Sequence, residues 1–84
     1  MKVRYMVVLD PDPDEGGYAV VVPALPGCFS QGETVEEALA HAEEAITVHV
    51  RSMVRHGEPI PVEGAGLLVA HIEAEIEVGE PVPA

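Results

Sequence analysis

The chain of 84 residues has no tryptophan, a single cysteine and only four lysines and arginines. One cysteine permits no internal disulfide, which suits a reducing cytoplasm, and we expect that location. The first apolar run, "YMVVL", ends at Asp10. It is too short for a membrane span or a signal-peptide core, so no membrane association is expected. The length predicts one domain over residues 1–84, with 79–84 as a flexible tail.

The charge is strongly one-sided, with 15 Asp and Glu residues and a formal net charge of −11. Phosphate contacts require clustered cations, whereas the four cations are scattered along this sequence at Lys2, Arg4, Arg51 and Arg55. We therefore expect no direct nucleic-acid binding. An acidic protein can instead attract a basic partner. The alternative is that the charge only keeps a small protein soluble.

The first half of the chain has the pattern of three short strands. Val3, Tyr5, Val7 and Leu9 alternate with Lys2, Arg4, Met6 and Val8, and this period of two with β-branched residues predicts a strand. "DPDPDEGG" over 10–17 is typical of a turn, because proline cannot donate to a ladder and glycine permits positive φ. "YAVVV" over 18–22 predicts a second strand, paired with the first as a hairpin. "CFSQG" over 28–32 predicts a short third strand or an extended connector.

A long helix and a last strand follow. Apolar residues recur at helical spacing from Val35, which predicts a helix over 35–56. Thr34 is placed as its N-cap, with Glu37 completing a capping box, and Gly57 as its C-terminal stop. "LLVAHIEAEIEV" over 67–78 alternates strictly and predicts a fourth, half-buried strand with an acidic outer face. The fold class is therefore α+β in the order β-β-β-α-β.

The first two predicted strands are apolar on both faces, whereas one helix can cover only one face of a sheet. Met6, Val8 and Val21 are predicted on the uncovered face. Contiguous exposed apolar surface usually marks an interface, so we expect self-association through these residues, as a dimer or a tetramer.

Neither a metal site nor a catalytic site is predicted. Cys28 follows Pro26 and Gly27 in a turn, and no histidine that could activate it lies nearby in sequence. We expect these three residues to be structural. The four histidines lack the i, i+4 spacing of helical metal ligands. Asp10 and the acids of 67–78 could hold Mg²⁺ in a nuclease, but strand-face acids are more often solvated surface. We expect no enzyme activity and no cofactor.

The segment "DEGGYAVVVPALPGCFSQGETVEEALAHAEEAI", residues 14–46, resembles the HicB-type antitoxins of bacterial toxin–antitoxin pairs. Their pattern has a Gly-Gly-Tyr strand start, a Leu-Pro-Gly-Cys turn, a Gly-acid-Thr motif and a Glu-Glu-Ala-rich helix. "HGEPIPVE" resembles the exit of the family's helix. Ala24 stands where an acid is usual. Longer members carry a C-terminal DNA-binding module, and this chain resembles a short member without one.

The resemblance implies a degenerate ribonuclease H-like sheet with one helix packed on one face and no working active site. It also implies a partner, a small basic HicA-like toxin that cleaves mRNA and whose active site the antitoxin covers. The acids nearest the motif are the expected partner-binding residues: Asp12, Asp14, Glu15, Glu33, Glu36 and Glu37. The alternative function is an orphan oligomeric domain of the same fold, with a different protein or small-molecule partner.

Overall fold

The computed structural model describes residues 1–64 and 66–79. It contains strands β1 (Val8–Pro11), β2 (Tyr18–Val21) and β3 (Phe29–Gly32), followed by helix α1 (Val35–Arg55). The strands form one antiparallel sheet in the order β1-β2-β3, and the helix packs on one of its faces. The α+β class and the predicted order of these four elements are confirmed. No helix among the described residues is both long and apolar enough to cross a membrane.

The turn between β1 and β2 is held by the Asp12 carboxylate, which accepts hydrogen bonds from the backbone N–H groups of Asp14 and Glu15. Gly16 and Gly17 both have φ of 79°, which a side chain would disfavour. Pro11 was predicted in this turn but belongs to β1, opposite Tyr18. It is tolerated there because β1 is an edge strand, where a missing N–H breaks no ladder bond.

Strand β1 begins at Val8, five residues later than the predicted start at Val3. The cause lies in the partner strand. Continuing the register of β1 and β2 would place Met6 opposite Pro23, which has no N–H to donate. The carbonyl of Met6 would therefore lack a donor in the ladder, and the N–H of Met6 donates to the carboxylate of Glu63, at 2.9 and 3.0 Å. The ladder ends at the pair Val8 and Val21, two residues before Pro23.

Helix α1 has the predicted boundaries to within one residue. The Thr34 hydroxyl accepts a hydrogen bond from Glu37 N–H at 3.1 Å, and Gly57 follows the last turn with φ of 69°. The helix buries Ala38, Ala42 and Val50 against the sheet and the loop after β2. The largest fully buried side chains opposite it are Val20 and Leu25, so the core lies between the helix and one face of the sheet.

The predicted fourth strand is not formed in this chain. Residues 67–78 make no strand, and their apolar side chains are in solvent, with Leu68, Ile72 and Ile76 exposed by 89%, 92% and 77%. A strand requires a neighbour for its backbone groups, and this segment runs away from the sheet. The Cα radius of gyration is 17.0 Å, against about 12 Å for a compact chain of this length. The predicted tail lies outside the described residues apart from Gly79.

Gly32 is the point of closest approach between sheet and helix. A Cβ atom at this position would lie 2.6 Å from Cα of Ala38 and 2.8 Å from the carbonyl carbon of Glu37. Both are backbone atoms of α1, so no side chain can move aside. The third strand can pass under the helix only because residue 32 has no side chain.

We expect Gly32→Ala to lower the free energy of unfolding by about 2–3 kcal/mol, because the added methyl group forces helix and sheet apart. Urea denaturation followed by circular dichroism measures the change. Gly64→Ala is the matched control, since nothing lies within 4 Å of its Cβ position. The control should change stability by less than about 0.5 kcal/mol. Equal effects of the two substitutions would contradict the close approach.

Candidate functional site

A cleft rich in acids lies between the β1–β2 turn and the start of α1. We call it the acidic cleft. Four exposed carboxylates and one imidazole line it, belonging to Asp12, Glu15, Glu33, Glu37 and His41. Four of the six predicted partner-binding acids therefore come together in one place. Asp14 and Glu36 are exposed beside them in sequence but do not line the cleft.

Local backbone geometry holds the two walls of the cleft together. The turn closes through a hydrogen bond from Asp12 N–H to the carbonyl oxygen of Gly17, at 3.0 Å. Gly17 in turn lies so near β3 that a Cβ there would be 3.0 Å from the carbonyl oxygen of Gly32. The residues after Gly32 enter the capped first turn of α1, which carries Glu37. These close contacts at Gly17 and Gly32 bring the acids of the turn next to the acids at the start of α1, some twenty residues later in sequence.

The electrostatics of the cleft favour a cationic partner. The two backbone N–H groups that bond Asp12 lower the pKa of its carboxyl group, which keeps it ionised. No lysine or arginine is among the lining residues. The negative charge of the cleft is therefore not balanced by a lysine or arginine in its walls, and a basic protein surface would supply the balancing positive charge.

His41 has a structural role that the sequence did not reveal. Its Nδ1 lies 2.7 Å from the carbonyl oxygen of Gln31, to which it donates when protonated at that nitrogen. The contact ties the helix to the outer edge of β3, where no further strand of the described chain pairs. Sequence reasoning considered this histidine only as a metal ligand. Among the described residues no three His, Cys, Asp or Glu side chains form a group that could hold a metal ion.

The open face of the sheet, opposite the helix, carries an apolar row. The register places Val8, Val21 and Phe29 side by side on the three strands, exposed by 41%, 38% and 67%. Two of the three predicted interface residues are in this row, and the third, Met6, is half-buried before β1. Phe29 was missed, because its face depends on the register of β3. The alternation within "CFSQG" could have indicated this, because Phe29 follows Cys28 directly and a buried Cys28 turns Phe29 to the opposite face.

Cys28 is part of the core. It is 4% exposed and clusters with Val22, Leu25 and Val50. Its N–H bonds the carbonyl oxygen of Leu25 at 3.0 Å, and Gly27 before it has φ of 85°. Pro26 occupies the exposed part of the same turn. Burial raises the pKa of the Cys28 thiol, the opposite of what a nucleophile needs.

We expect Cys28 to react with an aromatic disulfide reagent at pH 8 at least about tenfold more slowly than an exposed thiol, because burial blocks access and disfavours the thiolate. The comparison is Phe29→Cys in a Cys28→Ser chain, which puts the thiol one residue away on the open face. The rates are followed by absorbance, and both chains should react equally fast in denaturant. Equal rates in the folded proteins would contradict the core assignment.

Comparison with known proteins gives one family. The profile described as "HicB_like antitoxin of bacterial toxin-antitoxin system" matches residues 5–77. A UPF0150 protein of Thermoplasma acidophilum is 45% identical over 69 residues, which cover 82% of this chain and 99% of that protein. Antitoxin HicB 1 of Photorhabdus laumondii is 40% identical over 62 residues, or 74% of this chain and 39% of the relative.

Antitoxin HicB of Escherichia coli K12 is 40% identical over 60 residues, which cover 71% of this chain and 43% of that protein. The match therefore spans about two fifths of the length of these two antitoxins, and nearly all of the Thermoplasma protein. The matched part of the chain includes both walls of the acidic cleft.

Proposed function

Because the chain belongs to the HicB-like antitoxin family of bacterial toxin–antitoxin systems, we propose that it binds and neutralises a small basic HicA-type toxin that cleaves mRNA. The observation that carries the proposal is the acidic cleft. It gathers four carboxylates, contains no cation of its own and lies within the segment that the family profile matches. Such an acidic surface is a suitable binding site for a toxin whose own natural ligand is the phosphate backbone of RNA.

The proposed mechanism is occlusion. A toxin that cleaves mRNA needs cations to hold phosphates. Carboxylates in the cleft, assisted by Asp14 and Glu36 beside it, would occupy those cations in place of phosphate and cover the active site. Opposite potentials also speed the encounter of the two proteins, which matters for an inhibitor that competes with abundant RNA. No catalytic step of the antitoxin is needed, and we propose that it is not an enzyme.

The ribonuclease H-like relationship of the sheet is part of the same proposal. The order of three antiparallel strands followed by a helix supports it. The nuclease alternative required Asp10 to act with the acids of 67–78. Asp10 lies on the open face in β1, whereas that segment runs outside the sheet, so these acids are not brought together within one chain. We also propose that residues 1–84 form a single domain.

The second candidate function is an orphan oligomeric domain with a different protein or small-molecule partner. The apolar row on the open face favours it, since it provides a binding surface independent of charge. The two functions differ in their dependence on salt. Binding through the acidic cleft weakens as ionic strength rises, whereas packing of the apolar row does not.

We expect the tagged chain to recover a small basic protein from its native lysate, and charge reversal in the cleft to weaken that complex. The pair Glu15→Lys and Glu33→Lys should raise the Kd at least about tenfold at low salt, which corresponds to about 1.4 kcal/mol. Isothermal calorimetry with the recovered protein measures it. Glu58→Lys, an exposed acid beyond the far end of the helix, is the control and should have little effect.

Two results would count against the proposal. Unchanged affinity in the double variant would remove the cleft as the binding site. Recovery of the tagged chain alone, under conditions in which it is folded, would favour the orphan domain.

We propose in addition that two copies of the chain pack through the open face. The apolar row is free of charge, which makes it a favourable place for two chains of net charge −11 to meet. Val21→Lys should therefore reduce the mass measured by light scattering at micromolar concentration, because burying a lysine in this contact is costly. Val48→Lys, 67% exposed on the helix, is the control. An unchanged mass in Val21→Lys would exclude the open face as an interface.

A further inference from the structure

The acidic cleft and the open face leave two features of the chain unused. One is an apolar groove beside the N-terminal residues. The other is the alternating segment 67–78, which is exposed and unpaired. The segment is complementary to three features of this region: the apolar lining of the groove, the free backbone groups at the outer edge of β1 and the nearby cations.

The groove runs between the N-terminal residues and the helix. Met1 and Val3 form one side, and Ile46, Val50 and Val54 form the other. Its floor is apolar and partly exposed, with Val3 at 38% and Val54 at 56%. We call it the N-terminal groove. An exposed apolar groove next to a strand edge, on a protein this small, is expected to be covered by a further segment of polypeptide.

Unpaired backbone groups lie along the same edge. Asp12 donates to Gly17 across the turn, so hydrogen-bonded pairs in this hairpin recur at every second residue, at Asp10 and Val8. By the same alternation, the N–H and C=O groups of Leu9 and the C=O group of Pro11, which has no N–H, point to the outer edge of β1. An edge strand with free N–H and C=O groups is a template for another strand. Helix α1 packs over β3 and β2, so a strand that follows this edge would meet the helix where it continues beside the N-terminal residues Met1 and Val3.

Segment 67–78 has the side-chain pattern that such a strand requires. Its even-numbered positions from 68 to 78 are all apolar, and three of its odd-numbered positions are Glu73, Glu75 and Glu77. Alternate residues of a strand point to opposite faces. A strand added at this edge would therefore have Leu68, Ile72 and Ile76 on the face of the sheet that carries the helix and the glutamates on the open face.

The charges of the two surfaces are complementary. All four lysines and arginines of the chain are near the N-terminal groove. Arg51 and Arg55 line it, and Lys2 and Arg4 belong to the N-terminal residues that form its side. Lys2 and Arg4 alternate with groove-facing Val3, so they belong to the face on which the glutamates of the segment would lie. Opposite charges across neighbouring strands are stabilising.

The occupant that fits is the segment of a second copy. In its own chain the segment follows Glu63, whose carboxylate bonds Met6 N–H. If the register of β1 is continued to Met6, that N–H points toward β2, so Glu63 is on the side away from the outer edge. Pairing of two such segments with each other would bring glutamates opposite glutamates, which is unfavourable. We propose that two copies exchange these segments, each adding residues 67–78 to the outer edge of β1 and filling the N-terminal groove of the other.

This contact is separate from the open face and does not depend on the toxin. Used together, the two contacts build a tetramer from exchanged dimers. The outer edge of β1 and the open face lie in different directions from the sheet, so one does not block the other.

The test is complementation between two variants, made in a Val21→Lys background that removes the open-face contact. The segment variant carries Ile72→Asp and Ile76→Asp. The groove variant carries Val54→Asp and Arg51→Glu. Native mass spectrometry measures the species formed by each variant and by their mixture. The controls are His71→Asp, on the polar face of the segment, and Val48→Asp, on another side of the helix.

We expect the background chain and both controls to be dimeric, and each variant alone to dissociate at least about tenfold more readily. The mixture should recover a heterodimer, since the intact segment of one variant meets the intact groove of the other. A groove variant that dimerises normally, or a mixture that recovers nothing, would overturn the proposal. A monomeric background chain would overturn it as well.

A second readout serves if a variant fails to fold. Hydrogen exchange of residues 67–78 in the background chain should slow as protein concentration rises, because the strand forms only between copies. Protection that is independent of concentration would mean that the segment closes on its own chain. The proposal that two copies exchange their segments would then be wrong, while the toxin-binding proposal would be unaffected.

Discussion

The backbone of helix α1 lies directly on strand β3 at Gly32, where there is no room for a Cβ atom. Ala38, the helix residue at this contact, has no exposed surface. The pair of small residues fixes the height of the helix above the sheet, and the larger side chains Val20 and Leu25 fill the space on either side.

The same contact positions the candidate site. Glu33 follows Gly32 and Glu37 precedes Ala38 in the chain, so this contact positions both acids in the cleft. The β1–β2 turn approaches Gly32 and Glu33 through Gly17. Two acids at the start of a helix are favourable there because the exposed N–H groups carry partial positive charge. The cleft can therefore hold a high density of negative charge without destabilising the element that carries it. Arg55 is in the last turn of the same helix, where the dipole favours a cation.

Sequence reasoning succeeded where structure is determined by near neighbours. The ends of α1 follow from Thr34 and Gly57, and the turn after β1 follows from its aspartates and glycines. It failed where the outcome depends on a partner strand. The pattern of 67–78 is that of a strand, but pattern alone does not provide a neighbour for the backbone. The start of β1 depended on Pro23, which follows the partner strand β2, and the exposure of Phe29 depended on the register of β3.

The candidate site could be predicted only in part for the same reason. Proximity to the recognised motif selected six acids, and the fold places four of them in one cleft. No local rule indicates that Asp12 and Glu37 line the same cleft while Asp14 and Glu36 do not. The N-terminal groove was likewise invisible in sequence, because its two cationic pairs, Lys2 with Arg4 and Arg51 with Arg55, are far apart along the chain and adjacent only after folding.

The central claim is that a basic toxin binds at the acidic cleft, and its most direct test is a hydrogen-exchange footprint of this chain with and without the basic protein recovered from its lysate. Residues 12–17 and 32–37 should exchange more slowly in the complex. Protection confined to residues 67–78 or to the open face, with the cleft unchanged, would contradict the claim.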